Sequence, residues 1–429
     1  MPILVALLVL LLLLFLSIPV AATLAILGLS IGSIFSPFPL FKSIGEISWT
    51  ASTDFILLAI PLFVLLGEIL LKAGIAESTY KALDRWLSWL PGGLMHANIG
   101  TSAMFSATSG SSVATAATVT TVALPQARKL GYNESLFAGS IAAGGTLGIL
   151  IPPSINLIVY GFLTNTSIPK LFMAGIVPGI LLSIIFMLCI LILCSVYPAL
   201  GSDRRSASWK DRLISLRDLL PVLFIFVIVI GSIYAGYATP TESAALGVIA
   251  ALALAASYGS LNIKFFREVI EGTMRTTAMI MIIITAAYFL NFILASIGLT
   301  ERLTTFLDNL GLPPMGMMGV IIGIYIVLGF FIETLSLMVI TIPIVAPVVI
   351  NLGFDPIWFG VLLILLIEMA LITPPVGLNL YVVQGVRQRG NISEVMVGSL
   401  PFVVMIIMMI VLMMVFPGLP LILSSTLAG

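Results

Sequence analysis

Residues 144–161 read GGTLGILIPPSINLIVYG, an apolar stretch with two adjacent prolines, Pro152 and Pro153, at its centre. The stretch is hydrophobic enough for a membrane-spanning helix, yet proline lacks a backbone N–H and interrupts a helix. In hydrocarbon there is no water to bind the carbonyl oxygens that the interruption frees, so such backbone is tolerated only where protein or a cavity covers it. The stretch therefore predicts a broken membrane helix whose freed carbonyls are used inside the protein.

The composition of the whole chain is that of a protein with many membrane spans. Of 429 residues, 60% are hydrophobic and 8% are charged, and the formal net charge is zero. The zero charge gives no indication of a nucleic-acid partner. The single histidine, His96, argues against a multi-histidine metal site, and Cys189 and Cys194 lie in one apolar run that is typical of buried thiols.

Nine apolar segments are long enough to cross a bilayer, which takes about 20 helical residues. The first lacks the basic start and short apolar core of a signal peptide, so we interpret it as a retained span, tilted or broken. The nine segments lie near residues 3–33, 54–73, 135–165, 170–199, 218–237, 241–258, 273–297, 356–386 and 392–416.

Two further apolar stretches, 94–129 and 314–351, are interrupted at their middles by SATSGSSVA (106–114) and GFFIETLS (329–336). Each half is too short to cross the membrane, so each stretch predicts a re-entrant hairpin whose tip ends inside the membrane. Two amphipathic stretches are predicted to lie in the membrane interface: 76–90 and 300–310.

The basic residues support this topology. When the basic loop 202–217 is placed in the cytoplasm, only Lys42, Lys170 and Arg302 of the 18 Lys and Arg residues fall outside, which leaves 15 inside. Cytoplasmic loops of membrane proteins carry such an excess of Lys and Arg. The asymmetry therefore favours nine crossings and two re-entrant hairpins.

The double proline recurs in LITPPVGLNLYVVQG (371–385), where it lies 222 residues after the first. The same offset pairs Pro125 with Pro347 and Gly131 with Gly353. Residues 54–165 and 273–386 are therefore interpreted as two copies of one unit. Each copy consists of a span, an interfacial helix, a re-entrant hairpin and a broken span.

Five crossings separate the starts of the two copies, so the copies have opposite orientation. Inverted repeats with broken helices near the midplane are typical of secondary transporters, and the freed carbonyls of both breaks are suited to coordinating a cation. The predicted fold class is therefore an all-α polytopic membrane protein. Its predicted segments are an N-terminal span and loop (1–53), the first repeat (54–165), scaffold spans with a basic cytoplasmic loop at 200–217 (166–272), the second repeat (273–386) and a C-terminal span (387–429).

Four motifs then indicate a family: ATSGSSVATAATV (107–119), GGTLGILIPPSINLIVYG (144–161), YATPTESAALG (237–247) and ITPPVGLNLYVV (372–383). In this order they resemble the large membrane (M) subunit of tripartite ATP-independent periplasmic (TRAP) transporters, over nearly the whole chain. The resemblance implies an elevator-type, sodium-driven importer in the bacterial inner membrane. It also implies two separate partners, a small four-helix membrane subunit and a periplasmic substrate-binding protein.

The resemblance further implies two sodium sites. The first would use Ser106 and Ser109 with carbonyls near Gly148, Ile151 and Pro153. The 222-residue offset pairs Gly148 with Ala370 and Ile151 with Thr373, which supports the second site independently. The alternative is that small residues here only let helices pack closely. The second site would use Gly329, Ala370, Thr373 and Val376.

The substrate is expected between the two hairpin tips, where hydroxyls and amides can bind an oxyanion. An equally open interpretation is that these side chains cap helix ends. Glu333 and Glu368 are also functional candidates because carboxyl groups are rare inside membranes, whereas Glu242 is predicted to cap a short span. The substrate-site candidates are Ser111, Ser112, Ser154, Asn156, Glu333, Thr334 and Asn379.

The sequence thus predicts a non-enzymatic transporter subunit that imports a small organic anion, such as a carboxylate, sugar acid or sulfonate, with sodium. The mobile unit would contain both hairpins and both broken spans, and the other spans would form the scaffold. One alternative is a stand-alone, proton-coupled transporter that uses Glu333 and Glu368. Another is an intramembrane hydrolase with Ser111 or Ser112 as nucleophile, although no base for that chemistry is evident.

Overall fold

A computed structural model describes residues 2–16, 18–202, 206–299 and 311–426. Within these ranges every regular element is a helix. The predicted interfacial stretch 300–310 lies outside the described residues. The structure describes the rest of both predicted repeats.

The N-terminal apolar run forms two helices rather than one. Helix α1 (Pro2–Phe15) and helix α2 (Val20–Phe35) each have fewer than the about 20 residues that cross a bilayer. Pro19 lies between them and supplies no backbone N–H, so the span predicted over 3–33 as tilted or broken is broken here. A short helix α3 (Ile44–Ser52) follows on the predicted outer side.

The first repeat has the predicted order of elements. A 3₁₀ turn (Phe55–Leu58) leads into its span, and the halves of its broken helix are separated by residues 147–154, in which the Pro152–Pro153 bond is cis. Its helices are α4 (Ala59–Lys72), α5 (Ile75–Leu87), the hairpin pair α6 (Leu94–Ser109) and α7 (Ser112–Lys129), and the broken pair α8 (Glu134–Thr146) and α9 (Ile155–Thr164).

Three long helices connect the repeats: α10 (Ile168–Val196), α11 (Trp209–Tyr234) and α12 (Pro240–Ser257). The basic loop predicted at 200–217 is wrong in its second half, because α11 already begins at Trp209. The side chain of Ser208 accepts a hydrogen bond from the Asp211 N–H at 3.1 Å and so starts the helix. The predicted cap of α12 is confirmed, since Glu242 and Thr239 form a reciprocal capping box.

The second repeat has the same order of elements, and the Pro374–Pro375 bond at its break is also cis. Its first helix begins ten residues earlier than predicted, because the Asn262 side chain caps it at the Phe265 N–H. The helices are α13 (Ile263–Ser296), the hairpin pair α14 (Pro314–Gly329) and α15 (Thr334–Asn351), the broken pair α16 (Pro356–Ile372) and α17 (Leu378–Arg387), and finally α18 (Ile392–Val415) and α19 (Leu421–Thr426).

Seven helical segments of the described chain are long and apolar enough to cross a membrane. Six of them coincide with predicted spans. The seventh, Thr334–Asn351, is the second arm of a hairpin. The three other predicted spans are absent from this set because their prolines divide each into shorter helices. The seven segments are Phe55–Lys72, Ile168–Val196, Trp209–Tyr234, Pro240–Ser257, Ile263–Ser296, Thr334–Asn351 and Ile392–Val415.

The helices pack as two groups. A central body contains both hairpins, both broken helices, α10, α18 and α19, and the peripheral helices are α1–α5 and α11–α13. Helix α18 packs on α8 so closely that a Cβ atom at Gly139 would overlap the carbonyl of Gly398. Helices α10 and α18, which the sequence assigned to the scaffold, therefore pack with the broken helices.

Candidate functional site

Each hairpin tip is closed by the N-cap of its second helix. At the first tip the Ser111 hydroxyl accepts a hydrogen bond from the Ala114 N–H at 3.4 Å. At the second tip the Glu333 carboxylate accepts from the N–H groups of Leu335 and Ser336 at 3.1 and 3.0 Å. Glu333 lies 222 residues after Ser111, so the two caps are equivalent positions of the repeat. The first tip is thus capped by a neutral group and the second by a charged one, which the positive helix N-terminus stabilises.

The two tips meet at one cavity of about 700 Å³. Ser111 and Ser112 reach it from the first tip, Glu333 and Thr334 from the second, and Asn156 from the start of α9. Five of the seven predicted substrate residues are therefore brought together. Their direct contact with a substrate stays a prediction.

The other wall of the cavity comes from the peripheral helices. Glu68 of α4 and Thr276 of α13 belong to it. Among the described residues that line the cavity, Glu68 and Glu333 are acidic and none is Lys or Arg. Glu68 is not among the site residues predicted from the sequence, because local periodicity does not show which helices face the tips.

Asn156 lines the cavity and carries a hydrogen-bond donor without a partner among the described residues. Its side chain is 3% exposed, and its Nδ2 group has no hydrogen-bond partner among the described residues. A buried donor without an acceptor costs about 1–3 kcal/mol. The Asn156 amide is therefore available to an acceptor oxygen that enters the cavity.

Ser154 and Asn379, the two other predicted substrate residues, are turned into the protein. The Ser154 hydroxyl donates to the Ile149 carbonyl at 2.5 Å and caps α9. The Asn379 side chain accepts from the Ser112 hydroxyl at 2.9 Å and donates to the Ala142 carbonyl at 3.1 Å. Neither Ser154 nor Asn379 lines the cavity, and the hydrogen bonds of both side chains are made to protein groups.

Hydroxyl groups bind several of the carbonyls near the breaks. Besides the Ser154 bond, the Thr373 hydroxyl donates to the Met369 carbonyl at 2.5 Å. The Ser399 hydroxyl donates to the Ile372 carbonyl at 3.1 Å. Side-chain hydroxyls thus satisfy some of the carbonyl oxygens that the breaks leave without the backbone partner of a continuous helix.

The first hairpin tip lies directly on the first break. A Cβ atom at Gly148 would be 2.9 Å from the Ser111 carbonyl oxygen, and one at Gly110 would be 3.0 Å from the Pro153 oxygen. Ser106 donates to the Ser102 carbonyl in α6. Ile151 instead packs its side chain against Gly179 of α10. The side chain of Ser109, which ends α6, lies outside the described part of the structure.

The second hairpin also contacts its break. A Cβ atom at Gly329 would be 2.6 Å from Cβ of Ala370. Val376 is 41% exposed, in contrast to the first break, whose residues 151–156 are all buried. In each repeat the backbone of the hairpin therefore lies close to the backbone of the break that the predicted sodium site would use. The residues of the second site are more exposed than those of the first. Sodium binding at either group stays a prediction.

Glu368, the remaining carboxyl candidate, does not line the cavity. It is fully buried in α16, and neither carboxyl oxygen has a partner among the described residues. Its functional role stays a prediction. The sequence also missed Arg387, a buried arginine that bonds to two carboxylates and is described below.

Inverted repeats, two hairpin tips at a shared cavity and two broken helices define this protein as a membrane transporter. Comparison with known proteins then identifies the family. A family model described as "Tripartite ATP-independent periplasmic transporter, DctM component" matches residues 7–419.

Two relatives and one solved structure show how far the likeness extends. The C4-dicarboxylate TRAP transporter large permease protein DctM of Pseudomonas aeruginosa is 33% identical over 393 residues, which cover 91% of each chain. The sialic acid TRAP transporter large permease protein SiaM of Vibrio cholerae is 34% identical over 379 residues, 88% of each chain. The YdaH transporter of Alcanivorax borkumensis shares the fold, with a TM-score of 0.62 and 16% identity over 94% of this chain and 98% of that one.

The chain therefore belongs to the DctM family of TRAP transporter large permeases. It is an integral inner-membrane component of a transporter and not an enzyme, which excludes the hydrolase alternative.

Proposed function

We propose that this permease imports a small organic anion together with sodium. The observation that carries the proposal is the unpartnered amide of Asn156 in a cavity where both hairpin tips meet. A carboxylate or sulfonate oxygen would accept from that amide without a fixed positive charge. The two relatives are named for C4-dicarboxylate and for sialic acid, which agrees with an acidic substrate.

Sodium is supported by the kinds of oxygen atoms at the breaks. Carbonyl and hydroxyl oxygens of unwound segments are the groups that coordinate sodium in transporters with broken helices. Gly148 and Pro153 lie against the first tip, and Gly329 lies against Ala370 at the second break.

Movement of the central body as a unit is supported by the division of the cavity wall. The tips and breaks belong to the central body, whereas Glu68 and Thr276 belong to peripheral helices. In an elevator motion, the central body would slide across the membrane with the tips, the breaks and the bound substrate. The peripheral wall with Glu68 and Thr276 would stay in place. We include α10 and α18 in the moving unit because both pack on the broken helices.

The family description names a tripartite system, of which this chain is one component. We infer that the substrate arrives on a periplasmic binding protein and that a small four-helix membrane subunit stands against the peripheral helices. Both would be separate polypeptides. The fixed membrane position of the peripheral helices during transport would then depend on the small subunit.

The test is uptake by vesicles that contain the permease, its small subunit and its binding protein. Radiolabelled C4-dicarboxylate, sialic acid and a small sulfonate serve as probes, each with a sodium or a potassium gradient. We expect accumulation of one probe only with sodium and only with all three proteins. Equal uptake with potassium, or full uptake by the permease alone, would contradict the proposal and favour the proton-coupled alternative.

Asn156→Leu tests the role of the amide. We expect the substrate concentration for half-maximal uptake to rise roughly 10- to 150-fold, since losing one hydrogen bond to a charged group costs about 1.5–3 kcal/mol. Ile155→Leu is the matched control, because it keeps the volume and changes no polar group at the same cavity. Equal substrate curves for both variants would remove Asn156 from the site.

A further inference from the structure

Helices α8 and α17 come from different repeats and are fastened to each other at two points. Near one end the Asn379 amide donates to the Ala142 carbonyl at 3.1 Å. Near the other end Arg387 donates from Nε to Glu134 at 2.9 Å and from a terminal nitrogen at 2.7 Å. Asn379 and Arg387 are eight residues apart (387 − 379), as are Glu134 and Ala142 (142 − 134). The helices therefore run antiparallel, with two polar contacts about 12 Å apart.

The Arg387 contact joins four helices. Its side chain is only 3% exposed and bonds to Glu394 of α18 as well as to Glu134 of α8. Arg128, near the end of α7, approaches Glu134 at 3.4 Å and donates to the Arg387 carbonyl at 3.1 Å. The guanidinium is buried, whereas the Glu134 and Glu394 side chains are 37% and 46% exposed, so the loss of both carboxylates would leave a buried charge without compensation.

The Asn379 contact reaches the first hairpin tip. Besides donating to Ala142, Asn379 accepts from the Ser112 hydroxyl at 2.9 Å, and Ser112 begins α7. Asn379 lies two residues after Gly377, where the second break ends. Any shift of α17 along α8 would therefore move the second break relative to the first tip.

We propose that Arg387 and Asn379 are positioning residues for transport, which hold the second break at a fixed height beside the first hairpin tip. The proposal rests on the sodium coupling proposed above. Neither Asn379 nor Arg387 is among the residues that line the cavity. Their effect passes through the placement of the break carbonyls between residues 373 and 377.

A positioning role affects the sodium dependence of uptake and not the amount of transporter in the membrane. In Arg387→Gln we expect the sodium concentration for half-maximal uptake to rise on the order of tenfold, as for misplacing one ligand. The maximal rate per inserted transporter should change less than the sodium dependence. Arg387→Lys keeps the charge but not the paired donors and should lie between Arg387→Gln and the wild type.

One control variant and one second test variant accompany this measurement. Arg389→Gln removes an exposed charge two residues along the chain and should leave the sodium curve unchanged. Asn379→Leu should raise the sodium requirement as Arg387→Gln does, although it removes no charge. An effect of Arg387→Gln shared by Arg389→Gln, or a loss confined to the amount of inserted protein, would overturn the proposal.

Hydrogen exchange separates this proposal from sodium coupling. Amides of residues 376–380 should exchange faster in Arg387→Gln than in Arg389→Gln, measured by mass spectrometry on purified protein without a gradient. Suppose that exchange is faster in Arg387→Gln and that the wild type takes up substrate equally well with a potassium and with a sodium gradient. The positioning role would then be retained, and sodium would be rejected as the coupling ion. Unchanged exchange in Arg387→Gln would reject the positioning role whatever ion drives uptake.

Discussion

The inner half of the central body, α8 with α17 and α18, and the outer half, α16 with α9 and α10, are equivalent under the 222-residue offset. They are nevertheless held together by different chemistry. In the inner half an amide and a buried arginine fasten α17 to α8. In the outer half the Tyr160 hydroxyl donates to the Pro356 carbonyl at 2.6 Å, and the Tyr160 ring packs edge-on against Phe359.

The difference shows that the repeat preserves helix arrangement and not particular bonds. The positions equivalent to Asn379 and Arg387 are Leu157 and Asn165, and the equivalent of Glu134 is Pro356. Both halves keep the same order of helices and the same position of the break, whereas the close glycine contacts differ. The 222-residue offset places Val361 and Ile176 at the positions of Gly139 and Gly398. Ion pairs occur in the half whose ends are predicted to face the cytoplasm, where water and basic loops lie nearby.

Glycine contacts should show the largest difference between the halves. Gly139→Ala would place a Cβ atom on the backbone of Gly398, which cannot move without separating α8 from α18. Gly360→Ala would meet the Tyr160 ring at 2.6 Å, and a side chain can shift. We expect little folded Gly139→Ala protein by size-exclusion chromatography in detergent, and a mostly folded Gly360→Ala protein. Similar yields of both would contradict this order.

Glu134→Gln should destabilise the inner half by about 2 kcal/mol. The value is less than the about 3–5 kcal/mol for breaking a fully buried pair, because the Glu134 side chain is 37% exposed and Glu394 still contacts Arg387. Thermal unfolding in detergent measures it. Glu77→Gln is the control, since Glu77 makes an exposed pair with Lys81 and should change stability little. An unchanged melting temperature in Glu134→Gln would mean that the ion pairs add nothing to the inner half.

The two breaks should differ in their response to small changes. Thr373→Ala removes a hydroxyl at the second break, and we expect a roughly 5- to 30-fold higher sodium concentration for half-maximal uptake, from a loss of about 1–2 kcal/mol. Its repeat equivalent Ile151 offers no side-chain oxygen, so Ile151→Val should leave the curve nearly unchanged. A sodium titration in vesicles at fixed substrate compares them. Coincident curves would argue that the second break does not hold sodium through Thr373.

Tyr160→Phe should have a small effect on the outer half. It removes one hydrogen bond to Pro356 and keeps the ring that packs against Phe359, so the loss should be about 1 kcal/mol. Thermal unfolding should place this variant closer to the wild type than Glu134→Gln. A larger loss in Tyr160→Phe would mean that the outer half depends on the Tyr160–Pro356 hydrogen bond more than the inner half depends on its ion pairs.

Cysteine labelling should confirm which half faces the cytoplasm with the least disturbance of the protein. Asn391 and Asn165 are both exposed, at the inner and outer ends of the central body. In intact cells, Asn165→Cys should react with a membrane-impermeant maleimide and Asn391→Cys should react only after the membrane is opened. The reverse pattern would invert the topology and exchange the two halves.

Much of the fold could be predicted from the sequence because membrane helices depend on local properties. Both hairpins and both broken helices have the expected positions, since apolar length and proline placement determine where a helix crosses or stops. The predicted spans at 218 and 273 start later than α11 and α13. Both helices begin with polar and charged turns outside the apolar segment, and apolar length does not detect such turns. The division between α1 and α2 was left open, and Pro19 is the signal for it.

The candidate site was predicted less completely than the fold. Polar residues near the tips and breaks were identified from residue type and from the repeat, yet Ser154 and Asn379 bond inward while Glu68 reaches the cavity from another helix. Local sequence cannot distinguish a cap from a ligand, because the same hydroxyl or amide suits both roles.

The sequence by itself determined the membrane spans, the inverted repeat and the two breaks, because each follows from hydrophobic length, proline chemistry and a fixed offset along the chain. Tertiary structure alone decided that Asn156 lines the cavity with a donor that has no partner in the described part of the chain. It also decided that Asn379 and Arg387 join the two repeats. The physical reason is that a side chain's partner depends on which helices cross and at what height, and these distances link residues more than 200 positions apart.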